Sequence, residues 1–394
     1  MSRLGIAVLG ATGSVGRQAL EVIAAFPERF RVVALAANRN VNAMLELVAR
    51  HRPRVAALAD PAAAEDLKTR LCGDSVEILA GPDEIAALSR EPDVDILVAA
   101  IVGGAGLDPV FAAVQAGKTV ALANKEALVM AGRLVMSEAR AHGAVILPVD
   151  SEHAAAHQLL AGVDPEQVHK LILTASGGPF FGRPREELMR VTPEEALAHP
   201  NWNMGAKVSI DSASMMNKGF EIMEARWLFD LPPARIEVLV HPQSQVHAML
   251  EMVDGSLLAQ LARPDMRLSI AHALSFPGLL DLPGKLAGAR APDLTAVPGL
   301  TFHSAGEDSY PALRLCRRAL EGGGGLPAVL SVADEVAVAA FLEGRIRFTE
   351  ITDILARVLD AAGNPPADTI EDIKRAGCQG AELAKKICAK FNPS

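Results

Sequence analysis

Aromatic residues make up only 4 % of this chain, and its net charge is −9. Nucleic-acid binding draws on basic patches interleaved with stacking aromatics, so nucleic acid is not an expected partner. Cysteine is scarce as well. Cys72, Cys316, Cys378 and Cys388 form no CxxC pair and no zinc spacing, and read as packing or surface thiols in a reducing compartment. Long apolar runs are missing too. The most apolar stretch, from Ile96 to Leu107, is shorter than a membrane span and is broken by Gly103, Gly104 and Gly106. No positively charged leader precedes an apolar segment at the N-terminus. The expectation is a soluble, cytoplasmic protein without signal or transit peptide and without a membrane partner.

What the chain does have is apolar bulk, since half of its 394 residues are hydrophobic. That length exceeds one ordinary core, so two or three domains are expected. From residue 4 to about 150, short β-branched runs (Ile6–Leu9, Arg31–Leu35, Val55–Leu58, Ile96–Ala99, Val120–Leu122 and Val145–Leu147) alternate with helical stretches such as Arg17–Ala25, Val41–Arg50 and Leu107–Ala116. Such alternation predicts βαβ units and a parallel, doubly wound sheet. The rhythm is lost after Asp150. Strands are expected there at Lys170–Thr174, Glu237–Val240 and Leu257–Leu261, with a long irregular stretch from Gly177 to Ala206. Inside that stretch Thr192-Pro193-Glu194-Glu195 has the form of a helix start, with Thr192 as N-cap. Repeated Pro and Gly from Pro277 to Pro311, including Pro283-Gly284 and Pro298-Gly299, mark a surface linker. The remainder reads as helical. Ile351, Ile354, Leu355, Val358 and Leu359 share one helical face, Thr369 with Asp372 is a candidate cap, and Gly322–Gly325 is a loop.

The run Gly5 to Gly16 is a strand, a glycine-rich turn and a helix start, with GxxGxxG spacing. Glycines there let the backbone approach a pyrophosphate that sits on the helix amides, which makes Thr12, Gly13, Ser14 and Val15 candidate contacts. A plain tight turn is the bland alternative. A nucleotide enzyme that prefers NAD usually places an acid after the second strand. Here Ala37 is followed by Asn38, Arg39 and Asn40, and a cationic side chain favours the 2′-phosphate of NADP(H). A solvated surface arginine would look the same. Asn124 and Lys125 follow another apolar strand, where ligands bind in open α/β sheets, and are candidates for the nicotinamide half of the site, with a helix-start polar cluster of no ligand role as the alternative.

Asp150 and Glu152 follow the apolar run Val145–Leu147. In an extended segment, residues i and i+2 project to one side, so their carboxylates would converge. Like charges that close need a cation or a proton, although a solvated edge is the commoner case. Glu221 adds weight. If the chain is helical from Ser214, Asn217 lies at i−4 and Lys218 at i−3 from Glu221 on one face. Three carboxylates suit Mg²⁺ or Mn²⁺, while Ser212, Asn217 and Lys218 are the means of holding a phosphate. A capped surface helix with an ion pair remains the alternative. Ser176 precedes Gly177 and Gly178, whose amides can form an anion nest, or it caps a turn. His199 is placed to bond a substrate hydroxyl or phosphate, or is an ordinary polar loop residue. Trp202 is either part of a lid or plain core.

These motifs resemble the 1-deoxy-D-xylulose 5-phosphate reductoisomerase family. The likeness runs essentially end to end through GATGSVG, AANRN, AAIVGGAGL, GKTVALANKEALV, LPVDSEH, TASGGPF, HPNWNMG, VSIDSASMMNKGFEIMEARWLF, HPQSQVHAM and ARPDMR. It implies isomerisation of the sugar phosphate by breaking and remaking a C–C bond. Reduction by NADPH then gives 2-C-methyl-D-erythritol 4-phosphate, in isoprenoid precursor biosynthesis. By motif it implies a divalent metal, Mg²⁺ or Mn²⁺ with Co²⁺ as a third candidate, on Asp150, Glu152 and Glu221. Ser176, Ser212, Asn217 and Lys218 would hold the phosphate, Ser151 and His199 would touch substrate, and Trp202 with Met204 would belong to a closing loop. Asn124, Lys125, Glu126 and Gly205 would join the cofactor contacts, with Lys125 between cofactor and substrate. Asn38-Arg39 stands where the family often has Gly-Lys. The resemblance also implies a homodimer. It divides the chain into a Rossmann-like NADPH domain (1–149), a central α/β catalytic and dimerisation domain (150–280) with a mobile loop at about 177–206, a linker (281–311) and a C-terminal helical bundle (312–394).

Two other classes share this outline. An NADP-dependent dehydrogenase of another phosphorylated or semialdehyde substrate would, in the semialdehyde case, need a cysteine nucleophile in the middle domain. No cysteine lies between residues 73 and 315. A non-catalytic NADP-sensing protein would have no use for three metal-type carboxylates beside a phosphate cluster.

Overall fold

The computed structural model describes residues 3–73, 75–202, 204–297 and 299–391. Asn203 of the HPNWNMG motif and Pro298 of the linker lie outside the described residues. The chain divides into two compact units. Unit 1 is Met1–Asn124, Val135–Ala154 and Asp265–Arg290; unit 2 is Lys125–Leu134, Ala155–Pro264 and Ala291–Ser394.

In chain order the structure begins with β1 (Leu4–Leu9), α1 (Ser14–Ala25), β2 (Phe30–Ala37), α2 (Val41–His51), β3 (Val55–Leu58), α3 (Pro61–Arg70) and β4 (Glu77–Ala80). It continues with α4 (Pro82–Leu88), β5 (Ile96–Ala99), α5 (Leu107–Gln115), β6 (Thr119–Leu122), α6 (Glu126–His142), β7 (Val145–Pro148) and α7 (Ser151–Leu160). Then come β8 (Val168–Ala175), α8 (Arg185–Leu188), α9 (Pro193–Leu197), α10 (Ala206–Ser214), α11 (Met216–Leu228), β9 (Ile236–Val240), β10 (Val246–Met252) and β11 (Leu257–Leu261). The last are α12 (Met266–Ser275), α13 (Leu282–Lys285), β12 (His303–Ser304), α14 (Pro311–Gly322), α15 (Leu326–Leu342), α16 (Glu350–Ala361) and α17 (Ile370–Cys388).

Unit 1 carries the expected doubly wound sheet, with all seven strands parallel in the order β4-β3-β2-β1-β5-β6-β7. β3 and β5 are buried along their whole length, which is why they read as unbroken apolar runs. The winding reverses between β1 and β5, and the loops after those two strands open at this switch point. The edge strand β4 was not expected. Its sequence, Glu-Ile-Leu-Ala, is half exposed and too short to show a period. α12, assigned by sequence to the central domain, packs here instead, because Ile270, Ala271, Ala273 and Leu274 join the core formed by Leu20, Ile23 and their neighbours.

Unit 2 is built on a mixed sheet, β11-β10-β8-β9-β12, in which only β8 and β9 run parallel. The expected linker supplies one of its edges, since His303 and Ser304 pair with Val240 and Leu239. Both expected helix starts are present as full capping boxes, Thr192 with Glu195 on α9 and Thr369 with Asp372 on α17. The C-terminal helices belong to this unit. Gly377 and Gly380 make the α17 sequence look unlike a helix, yet they are what lets it lie on α15. A Cβ at Gly377 would come 2.9 Å from Val332 Cγ2, and one at Gly380 would come 2.3 Å from the Val329 carbonyl oxygen. Gly380→Ala is therefore expected to cost about 1–3 kcal/mol, because α17 must back away from rigid backbone. Urea unfolding checks this, and an unchanged midpoint would sink it. Among the described residues no helix is long and apolar enough to cross a membrane.

Candidate active site

In unit 1, β1 ends at Leu9 and the chain turns through Gly10, whose φ of +83° suits glycine. A Cβ there would lie 2.2 Å from the Ala100 carbonyl oxygen, and one at Gly16 would lie 2.3 Å from the Gly10 carbonyl oxygen. The two glycines thus let the turn sit close to the β5 loop and let α1 start tightly behind it. Gly13 is the N-cap of α1 and no side chain caps the helix. Thr12 to Val15 are exposed or half-buried, so this helix end fits a pyrophosphate in both shape and dipole. Asn38, Arg39 and Asn40 are exposed after β2. The Asn40 side chain accepts from the Ala43 amide at 3.1 Å and caps α2.

Asn124 is buried, and its Nδ2 donates to the carbonyls of Ile101 at 2.7 Å and Gly103 at 2.9 Å. The structure thus places it as a brace behind the β5 loop. The extended-segment argument for Asp150 and Glu152 does not hold. β7 stops at Pro148, the Asp150 carbonyl accepts from the Ala154 amide at 2.8 Å, and Glu152 lies in the first turn of α7. A carboxylate in a first turn is favoured by the helix dipole. The Ser151 hydroxyl donates to the Glu152 carboxylate, and Asp150, Ser151 and Glu152 are all half-buried.

In unit 2 the segment expected to be helical from Ser214 is two helices. α10 ends at Ser214, Met215 takes a left-handed φ of +65°, and α11 starts at Met216. The expected spacing holds within α11. Asn217 Nδ2 donates to Glu221 Oε1 at 2.5 Å, and the Lys218 ammonium donates to Glu221 Oε2. Lys125, at the head of α6, joins them without any local cue in the sequence. Its Nζ is 2.7 Å from Asn217 Oδ1 and 3.5 Å from Glu221 Oε1. Glu221 is wholly buried, with the ammonium groups of Lys125 and Lys218 beside its carboxylate. The donor is a fixed anionic oxygen of the hard type that Mg²⁺ and Mn²⁺ prefer.

The Ser176 turn lies against Ser212. Gly177 and Gly178 have φ of +83° and +67°, and a Cβ on Gly178 would come 2.9 Å from the Ser212 carbonyl oxygen. The Gly178 amide donates to Ser176 Oγ at 3.1 Å. His199 Nδ1 accepts from the amides of Asn201 and Trp202 at 3.1 and 3.0 Å. The ring proton is therefore on Nε2, which lies 2.9 Å from Ser176 Oγ and donates to it. Trp202 is half-buried with its ring edge-on to His247 at 6.4 Å. Gly205 is the exposed N-cap of α10. Glu126, expected among the cofactor contacts, is buried, with its carboxylate 3.5 Å from the Lys207 ammonium. Sequence reasoning missed Asn201. Its Nδ2 ties the His199 loop to the Pro242 carbonyl at 2.9 Å and to Ser244 Oγ at 3.0 Å, a link between distant loops with no local signal.

Burial holds His199 below the ordinary histidine value of 6.5, as it does His51 (aided by Arg50), His157 and His241. The folded chain keeps these rings neutral, so the unfolded chain takes up protons first as the pH falls. Their contribution to stability is complete above 6.5 and is lost below it, on the way to the lower folded values. Urea midpoints are expected to decline below pH 6.5, and His199→Gln is expected to soften that decline. An identical profile in the variant would refute the role given to His199.

A glycine-rich turn at a switch point, with no acid after β2, and a separate set of amide and ammonium groups around a buried carboxylate fit a dinucleotide-dependent oxidoreductase of a phosphorylated substrate. Comparison with known proteins narrows this class. The model described as 1-deoxy-D-xylulose 5-phosphate reductoisomerase matches residues 6–132. Its C-terminal domain model matches 146–229, and a second DXP reductoisomerase C-terminal domain model matches 261–380. The chain belongs to the 1-deoxy-D-xylulose 5-phosphate reductoisomerase family. The reductoisomerase of Geotalea uraniireducens is 47 % identical over 97 % of this chain and 98 % of its own length. That of Aromatoleum aromaticum is 50 % identical over 96 % and 95 %. A crystal structure of DOX-P reductoisomerase in complex with NADPH, fosmidomycin and magnesium has a TM-score of 0.93 at 39 % identity, covering 98 % of each chain. The enzyme from Zymomonas mobilis in complex with NADPH has a TM-score of 0.90 at 41 % identity, covering 99 % of this chain and 100 % of its own.

Proposed function

We propose that this protein converts 1-deoxy-D-xylulose 5-phosphate to 2-C-methyl-D-erythritol 4-phosphate, using NADPH and a divalent metal, in isoprenoid precursor biosynthesis. The observation that carries this is the group formed by Lys125, Asn217, Lys218 and Glu221 in unit 2, in a chain that matches the family over nearly its whole length. Asp150, Glu152 and Glu221 hold Mg²⁺ or Mn²⁺, with Co²⁺ a third candidate. When bound, the ion supplies Lewis acidity toward the substrate oxygens. Ser176, Ser212, Asn217 and Lys218 hold the phosphate, the ammonium as a point charge and the others as hydrogen-bond partners. His199 and Ser151 make further contacts with the substrate, and Trp202 excludes water from that side. The amides at Thr12, Gly13, Ser14 and Val15 take the cofactor pyrophosphate, and Asn38, Arg39 and Asn40 lie on the 2′-phosphate side. Asn124, Lys125, Glu126 and Gly205 are further cofactor contacts, with Lys125 between cofactor and substrate. The working form is a cytoplasmic homodimer.

NADPH consumption with deoxyxylulose phosphate, with and without Mg²⁺ or Mn²⁺, tests this directly. Turnover is expected only with metal. Folded protein that fails to turn over with metal present would overturn the proposal. Metal-independent reduction of a semialdehyde would favour a simple dehydrogenase instead. Light scattering at two protein concentrations checks the dimer.

A further inference from the structure

In unit 2 the half-buried Lys207 meets three buried carboxyl groups, and Lys207, Asp211 and Asp334 have no part in the chemistry above. Lys207 and Asp211 sit one turn apart on α10 with Nζ to Oδ2 at 2.5 Å, and Asp334 on α15 approaches the same ammonium at 3.2 Å. Glu126 at the start of α6 lies 3.5 Å from it, and the Phe220 ring of α11 lies beneath it at 4.9 Å. Asp211 is 2 % exposed and Asp334 is 0 % exposed. The Cys316 thiol of α14 is close enough for burial and these two carboxylates to push it well up. Glu335 and Arg317 are the other charged groups whose fields reach the cluster.

The charges do not balance. Asp211 and Asp334 share one ammonium, and buried like charges that close cannot both persist. Burial pushes both aspartates up, the more so for Asp211 with Asp334 beside it, while Lys207 opposes the shift. Burial works against the charge on Lys207, but Asp211, Asp334 and Glu126 outweigh it and keep it an ammonium. With both aspartates ionised, Asp211 Oδ1 and Asp334 Oδ1 would lack a hydrogen-bond partner, whereas a proton on one lets it donate to the other.

The arrangement is also costly where it stands. Lys207 lies in the first turn of α10, an end that repels cations and has no side-chain cap. Buried ion clusters rarely stabilise more than apolar residues of the same size; their best-attested benefit is a single fixed arrangement. What this one fixes is α10. Ser212 follows Asp211 directly, and the Met215 turn then leads to Asn217 and Lys218.

We propose that Lys207 and Asp334 are positioning residues: with one proton shared by Asp211 and Asp334, the cluster sets α10 so that Ser212 and the Asn217–Lys218 turn can hold the substrate phosphate. This rests on the phosphate assignment above. Two measurements on the full-length protein test it. Infrared difference spectra between the parent and Asp334→Asn at neutral pH should show an acid carbonyl band that the variant lacks. In kinetics, Asp334→Leu and Lys207→Met should each raise KM for deoxyxylulose phosphate about tenfold, leaving kcat and the KM for NADPH within about threefold. Asp334→Asn, whose amide can donate to Asp211, should keep a KM near that of the parent. Lys207→Met decides the kinetic arm if Asp334→Leu does not fold. A missing acid band, or an unchanged substrate KM in the folded variants, overturns the inference while leaving the function standing. A parent enzyme without turnover overturns both.

Discussion

Replacing Glu221 with Gln is expected to lower metal-dependent kcat by roughly a thousandfold, the scale on which removing one charged or oriented group from a water-excluded site acts. The amide has the same shape as the carboxylate but no charge. Glu221 is wholly buried among Lys125, Asn217 and Lys218. On the proposed function, losing its charge removes a hard donor for the metal and also removes the carboxylate charge that both ammonium groups face. Titrating Mg²⁺ into parent and variant while following NADPH, with a thermal melt to show that both are folded, reads this out. Activity and metal dependence within twofold of the parent would remove Glu221 from the site.

Gly10→Ala is expected to act at the other end of the chemistry. Its Cβ would meet the Ala100 carbonyl oxygen at 2.2 Å, on a backbone with φ of +83°. Backbone strain and the clash together are expected to cost about 2–4 kcal/mol. Because relief requires the turn to move away from the β5 loop, the KM for NADPH should rise at least tenfold, to an order of magnitude. Gly306→Ala is the control. A Cβ there meets nothing within 4 Å and the backbone is not left-handed, so a change of no more than about 0.5 kcal/mol is expected. Equal behaviour of the two variants would show that the Gly10 turn is not the constrained element described here.

These effects fall on residues whose legibility in the sequence differed. The strand, turn and helix from Leu4 to Ala25 were readable because apolar strand and glycine spacing are both local. So was the triad within α11, since Asn217, Lys218 and Glu221 need only helical spacing. Glu152 was misplaced because nothing local announces that β7 ends at Pro148 and a helix begins at Ser151. Lys125 meets Asn217 across 92 residues, and Asp334 meets Lys207 from a different helix. Such meetings are tertiary facts. β10 was missed because it is buried along its first five residues and so lacks alternation, and β12 because two residues in a proline-rich stretch carry no period.

The break at Met215 has a consequence for what the chain can tolerate. Met215 is buried in the core of unit 2, so the left-handed residue is anchored and the two helices on either side keep a fixed phase. One residue inserted between Ser212 and Asn217 would turn everything after it by about 100° around the axis of α11. Asn217, Lys218 and Glu221 would then face away from Lys125 together. Length, more than composition, is the invariant of this segment: substitutions there can be graded in effect, but insertions and deletions cannot.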